Sequence, residues 1–234
     1  MSSQPLALSA DGTVLVVANT GSDSVSFFDL RRDVNRKVAT VPVQSEPRSV
    51  ALSPNGLRAY VANTESGTVS FIRLDIGSGS VRKPHKHLKV GGEPTSLVPT
   101  PNGTRLYVGN GRANTVSVID TQSETIIATI PVGLEPRGLA ITNDGDEDDA
   151  DEKLYVSSFL SLGMQGKHDE ATAARRGLVT IISTGTNAVV GASFGEPSAG
   201  VGFDEKAERD SDDGSSGKTT VKKKGTAHWG RPLS

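Results

Sequence analysis

The chain has 234 residues, 35% hydrophobic and 22% charged, with a net charge of −2 at pH 7 and a pI near 6.1, a balance that excludes a global pull toward nucleic acid or acidic membranes. The absence of cysteine removes disulfides, thiolate metal sites and cysteine nucleophiles, and no run approaches the roughly 18 apolar residues of a spanning helix. Aromatics are only 4%, so Val, Ile, Leu and Ala must build the core, while 26 glycines and 12 prolines supply the turns of a chain with many short strands.

The opening, MSSQPLALSADG, has neither the basic start nor the apolar core of a signal peptide. Behind Asp11-Gly12 comes a nearly continuous apolar run over 14–18, then SVSFFDL from Ser24. The next stretch repeats the scheme: strands are predicted over 49–53, 58–63, 68–74 and about 88–91, with Asn55-Gly56 closing the first hairpin. Asn-Gly between apolar runs is a strong hairpin signal. A third copy follows Asn102-Gly103 with TVSVIDT from Thr115, and a fourth follows Asp144-Gly145 with LVTIIST from Leu178. The glycines of these four pairs stand 44, 47 and 42 residues apart, a period of propeller blades or helical arrays. Two further registers agree with the first. Val25 and Phe27, Val69 and Phe71, Val116 and Val118, Val179 and Ile181 alternate as strand residues do, and Glu-Pro recurs at Glu46, Glu93, Glu135 and Glu196. An apolar second strand needs cover on both faces, which a blade wedged between blades has and a helical array has no use for. The expected fold is therefore all-β, a β-propeller of four-stranded antiparallel blades.

Tyr60-Val61-Ala62-Asn63 and Tyr107-Val108-Gly109-Asn110, with the sequences around them, resemble the YVTN family of propeller repeats. The likeness covers about residues 3 to 195, although no copy is literally Tyr-Val-Thr-Asn and the fourth reads Tyr155-Val156-Ser157-Ser158. The resemblance implies a bacterial or archaeal protein of the periplasm or cell surface, some members resembling the propellers of haem enzymes. Fold follows from it more firmly than activity.

Blades are expected at about 3–46, 47–93, 94–135 and 136–196, with an aborted fifth from 197 and a polar, disordered tail over 204–234 that carries Lys222, Lys223 and Lys224. A ring that stops in its fifth blade reads as a piece of a longer array, and its open edges would permit self-association.

In an up-and-down blade the connections alternate between two ends of the sheet. One end gathers the Glu-Pro connections, with Arg48, Thr95 and Arg137 just after proline, and an insertion over 157–177 holding His168, Arg175 and Arg176. Arg48, Arg137, His168, Arg175 and Arg176 are the candidate contacts for a ligand or protein partner, because loops on a rigid scaffold carry function disproportionately. The competing reading is turn chemistry, with each arginine solvated or paired to a neighbouring glutamate. At the other end, Asp144, Asp146, Glu147, Asp148, Asp149, Asp151 and Glu152 could attract calcium, yet the run lacks an EF-hand pattern and reads as solvated. His85 and His87 lack a third ligand nearby, so no metal site and no cofactor are expected. The lysine cluster is too short to argue for nucleic-acid binding.

No nucleophile elbow, P-loop, zinc-hydrolase motif or haem attachment is present. The sequence reading is a non-catalytic binding or interaction scaffold. Its alternatives are the propeller part of a larger redox or hydrolytic enzyme, or a truncated fragment.

Overall fold

The computed structural model describes residues 5–31, 35–75, 80–146, 148–160 and 178–194. Its strands form four sheets, each an antiparallel meander. The first contains β1 (Leu6–Leu8), β2 (Val14–Asn19), β3 (Ser24–Asp29) and β4 (Arg36–Pro42). In the second, β5 (Pro47–Leu52), β6 (Arg58–Asn63) and β7 (Thr68–Asp75) are followed by a divided outer edge, where β8 (Ser80–Val81) and β9 (Lys86–Lys89) both pair with β7. The third runs β10 (Pro94–Pro99), β11 (Arg105–Asn110), β12 (Thr115–Asp120), β13 (Thr125–Pro131), and the fourth β14 (Leu134–Ile141), β15 (Lys153–Leu160), β16 (Leu178–Ser183), β17 (Ala188–Phe194). No helix among the described residues is long and apolar enough to cross a membrane. The aborted fifth blade and the tail lie outside the described residues.

Three hydrophobic cores lie between successive sheets, which is why the second strand of an inner blade is apolar throughout. Val14, Val16, Val25 and Phe27 of the first sheet meet Val50, Leu52, Val61 and Ile72 of the second. Tyr60, Val69 and Phe71 meet Leu97, Leu106 and Ile119, and Tyr107, Val116 and Val118 meet Leu139, Val156 and Ile182. This stacking of one sheet on the next is the blade packing of a propeller.

The repeated sequence details each have a local cause. The Asp11-Gly12, Asn55-Gly56 and Asn102-Gly103 hairpins are five-residue turns in which Gly12, Gly56 and Gly103 take positive φ, the region glycine enters without steric cost. A hydroxyl closes each one: Ser9 Oγ accepts from the amides of Thr13 and Val14, Ser53 Oγ from Arg58, and Thr100 Oγ1 from Arg105. The asparagine that ends the second strand is a clamp. Asn63 Nδ2 donates to Thr68 Oγ1 (3.0 Å) and Ser70 Oγ (2.8 Å), Asn110 to Thr115 and Ser117, and Asn19 to Ser24 and Ser26. The Asn and the two hydroxyls of the third strand are thus one device, repeated in the first three blades, while the fourth has Ser158 in place of the asparagine.

Successive blades are also latched. Thr20 and Thr64, which follow that asparagine, donate to the carbonyls of Pro47 and Pro94 in the next blade at 2.7 and 2.8 Å. In the third blade Gly111 takes the place of the threonine, and Thr95 Oγ1 supplies the bond to the Pro136 carbonyl instead, at 2.9 Å. Near the outer edge Arg58 donates to the carbonyl of Thr121 and Arg105 to that of Thr184, while Tyr107 Oη donates to Asn187 Oδ1 at 2.9 Å.

Candidate functional site

The Glu-Pro connections enter the first strands of the second, third and fourth blades through one repeated backbone geometry. Glu46, Glu93 and Glu135 have φ of 56°, 54° and 49°, a left-handed conformation that is uncommon for a residue with a side chain. Neighbouring blade elements hold it in place. Asp23 Oδ1 accepts the Glu46 amide and Asn114 Oδ1 the Glu135 amide, both at 2.9 Å, and the carbonyls of Glu46 and Glu93 accept from the amides of Thr64 and Gly111. After each proline the ladder skips one residue: Pro47 faces Asn63 while Ser49 faces Ala62, with corresponding breaks at Pro94/Ser96 and Pro136/Gly138. The extra residues are Arg48, Thr95 and Arg137. Bulges of this kind re-aim a side chain out of the ladder and recur beside active sites.

The bulges place Arg48 and Arg137 at one register position, two blades apart, with Thr95 between them. Each guanidinium is half exposed and bonded within its own connection, Arg48 Nη2 to Glu46 Oε1 at 3.4 Å and Arg137 Nη2 to Glu135 Oε2 at 2.8 Å. Arg137 also lies over the ring of Phe159, 5.5 Å from its centroid. The neighbouring-glutamate reading of these arginines describes their resting contacts. An arginine has five N–H donors in a planar fork, so one such contact leaves donors for an incoming anion. His168, Arg175 and Arg176 lie outside the described residues.

The remaining sequence features are distributed differently. His87 Nδ1 and Ser70 Oγ are 2.8 Å apart, a serine–histidine contact in outline, but Ser70 is fully buried and held by Asn63, and the same position in the first blade is the pair Ser26 and Thr40. It is a cross-strand contact within the sheet, and burial lowers the pKa of His87. His85 Nε2 is 2.8 Å from Glu124 Oε1 of the next blade, beside Arg58, and Lys86 Nζ donates to the Glu124 carbonyl. The two histidines therefore serve separate partners.

The acidic run is only partly solvated, contrary to the sequence expectation. Asp149 is buried and accepts from the amides of Asn102 and Thr104 and from the Thr104 hydroxyl, anchoring the fourth blade on the turn of the third. Glu152 is buried and accepts from Thr142 Oγ1 and the Asp144 amide. Asp144, Asp146 and Asp151 stay exposed, with one carboxylate oxygen of each within 4.8 Å of the others. Local desolvation beside the loop, then the like charges of Asp144, Asp146 and Asp148, raise the pKa of Asp151. The same loop packs against the turn before β17, where a Cβ at Gly185 would sit 2.3 Å from the Ala150 carbonyl oxygen. Gly185→Ala is expected to cost about 2 kcal/mol of unfolding free energy, in the range of overpacking a fixed backbone, read from the shift in urea midpoint at unchanged slope.

Residues 3–99 match the family model described as Lactonase, 7-bladed beta-propeller. Hydrazine synthase of Kuenenia stuttgartiensis is similar over 82% of this chain and 49% of its own, with 26% identity and a TM-score of 0.64. A candidate 6-phosphogluconolactonase of Bacteroides fragilis is 22% identical, covering 57% of this chain and 40% of its own at a TM-score of 0.52. A second, from Bacteroides uniformis, is 18% identical over 82% of this chain and 57% of its own at a TM-score of 0.58. The chain spans about half the length of these structures. No curated protein matches it.

The lactonase match overturns the sequence reading of a chain without catalytic affiliation. That reading rested on missing local motifs, and the likeness is instead spread over two whole repeats. It supports a propeller family without singling out the YVTN type. With four stacked antiparallel sheets, that match and propeller-like neighbours, the chain is a β-propeller protein.

Proposed function

We propose that the chain is propeller structure of a hydrolytic protein that opens a lactone ring, and that the Glu-Pro face meets the substrate. The observation that carries this reading is the lactonase match over residues 3–99. The repeated bulges, which lift Arg48 and Arg137 out of the ladder on one face, support the choice of face. In lactone hydrolysis the oxygen of water bonds to the carbonyl carbon, the ring C–O bond breaks, the ring oxygen takes a proton, and the new acid releases one to solvent. Guanidinium groups suit the charge this develops on the carbonyl oxygen, and suit a phosphate on the sugar. The proposal extends to His168, Arg175 and Arg176 of the insertion, which lie outside the described residues.

The test is proton release at constant pH from 6-phosphogluconolactone and from unphosphorylated gluconolactone. Turnover above the spontaneous rate is expected. Replacing both Arg48 and Arg137 by Ala should raise KM for the phosphorylated substrate about tenfold, the size of one lost charged contact of roughly 1.4 kcal/mol, with a smaller change for the neutral one. Release no faster than without protein would overturn the proposal.

A further inference from the structure

The junction of the third and fourth blades shows what the space between two blade turns can hold. Asp149 and Ala150 lie there between two walls. On one side the amides of Asn102 and Thr104 donate to the Asp149 carboxylate at 2.9 and 3.4 Å; on the other, Gly185 packs against the Ala150 carbonyl. The framing residues repeat one junction earlier. Thr121 bonds the Thr104 carbonyl as Thr184 bonds that of Glu152, and Arg58 reaches the Thr121 carbonyl as Arg105 reaches that of Thr184. Asn55 and Gln122 therefore stand where Asn102 and Gly185 stand.

The filling differs between the two junctions. Gly145 and Leu154 are nine residues apart, whereas Gly103 and Leu106 are three apart, so the third-blade turn is too short to send a carboxylate back to Asn55. That turn closes on the second blade at Gly103, where a Cβ would sit 2.9 Å from Pro54 Cδ. Between the turns opens a cavity of about 180 Å³, with Asn55, Arg58, Tyr60, Asn102, Thr121 and Gln122 in its walls.

Those walls carry spare donors. The Asn55 amide, counterpart of the Asn102 amide that binds Asp149, donates to nothing among the described residues. Asn55 Oδ1 already accepts from the Ser53 hydroxyl and the Leu57 amide, which leaves its NH2 group as the spare end. The side-chain NH2 groups of Asn102 and Gln122 also donate to nothing among the described residues. Leu57 stands where Thr104 stands, so the threonine hydroxyl is not reproduced, and positive charge comes instead from Arg58, whose side chain is partly exposed. Glu124 is 3.8 Å from Arg58, but it is held by His85 at 2.8 Å and is not part of the cavity wall.

We infer that this cavity binds a small free carboxylate, seated as the Asp149 carboxylate is seated one blade on, with the Asn55 amide as a donor and Arg58 as the counter-charge. The volume is below the roughly 300–1,000 Å³ of pockets for drug-sized ligands, so the occupant has about four to six heavy atoms, as acetate and lactate have. The cavity lies between turns at the blade end opposite the Glu-Pro connections and stands apart from the hydrolytic reading.

The test is a titration of the full, nitrogen-15-labelled chain with sodium acetate at pH 7, compared with sodium chloride at equal ionic strength. Saturable shifts at the Asn55 amide and the side-chain NH2 groups of Asn102 and Gln122 are expected, with a dissociation constant of roughly 1–10 mM. Gln122→Glu, at an exposed turn position, sets a like charge at the rim and should weaken binding about tenfold, while amide shifts elsewhere report an unchanged fold. Replacing Arg48 and Arg137 by Ala should leave acetate binding as it was. Shifts that fail to appear, that grow without saturating or that chloride reproduces would overturn the inference, the last two marking an adventitious ion only. Binding untouched by Gln122→Glu, or lost with Arg48 and Arg137, would overturn it as well by placing the acetate elsewhere.

Discussion

Phe71→Ala is expected to lower unfolding stability by about 3–5 kcal/mol, the range for a large aromatic removed from a core. Phe71 is 1% exposed and sits between the second and third blades with Tyr60, Leu97, Leu106 and Ile119. Its ring meets Tyr60 edge to face, centroids 5.5 Å apart and planes at 84°, a geometry that adds to area burial. Few neighbours can fill the gap: strand backbones on both sides are fixed by their ladders, and the surrounding side chains are aliphatic or already committed. Against a total of roughly 5–15 kcal/mol for a domain, that loss is severe. Phe159→Ala is the control, since Phe159 is largely exposed and should change stability by less than about 0.5 kcal/mol. Urea unfolding of both variants measures the difference. Equal midpoints would mean that the blade interfaces do not bear the fold's stability.

Residues that repeat were legible in the sequence, and residues that join repeats were not. The strands over Arg58–Asn63 and Arg105–Asn110 follow from apolar runs, and the stacked-sheet architecture follows from their lack of alternation. The hydroxyls at Ser70 and Ser117 were visible as a pattern, but their role as acceptors of the asparagine clamp needed the third dimension. Bulges at Arg48 and Arg137 leave no mark in composition, because one unpaired residue looks like any other residue of a strand. Latches such as Arg58 to Thr121 and Arg105 to Thr184 join residues far apart in the chain, and nothing local distinguishes these arginines from solvated ones. Twisted together, the blades convert those long separations into neighbours.

The match to the lactonase model was illegible for a related reason. Nucleophile elbows and phosphate loops are short motifs tied to one backbone turn, whereas a propeller can gather its chemistry from loops of several blades. The likeness to a lactonase therefore resides in a pattern spanning two repeats, and a search for single motifs passes over it. The Glu-Pro connections were read correctly as one end of the blades, and what the sequence hid was the left-handed glutamate that turns the chain there.

Asp149→Ala should destabilise the chain by about 1–2 kcal/mol, because it removes a buried carboxylate that three part-buried donors share. The amides of Asn102 and Thr104 and the Thr104 hydroxyl all end on this one carboxylate. Burial alone would raise its pKa, but the hydrogen bonds from Thr100, Thr104 and Asn102 together outweigh it and hold the group below the ordinary aspartate value of 3.8. A carboxyl depressed by folding contributes stability that is present above the unfolded value and is lost as pH falls through the lower, folded one. Unfolding free energy of the unsubstituted chain should therefore drop as pH falls below about 4, with part of that slope belonging to Asp149. Asp149→Asn removes the titration while keeping one acceptor oxygen, so its stability should be reduced near neutrality and its acid limb flatter. The surface aspartates Asp144 and Asp146, replaced by Asn, give the contrast: they carry like charge toward Asp151, so removing them should leave stability unchanged or slightly raised. An acid limb identical in the Asp149→Asn variant and the unsubstituted chain would show that the acidic insertion does not pin the fourth blade to the third.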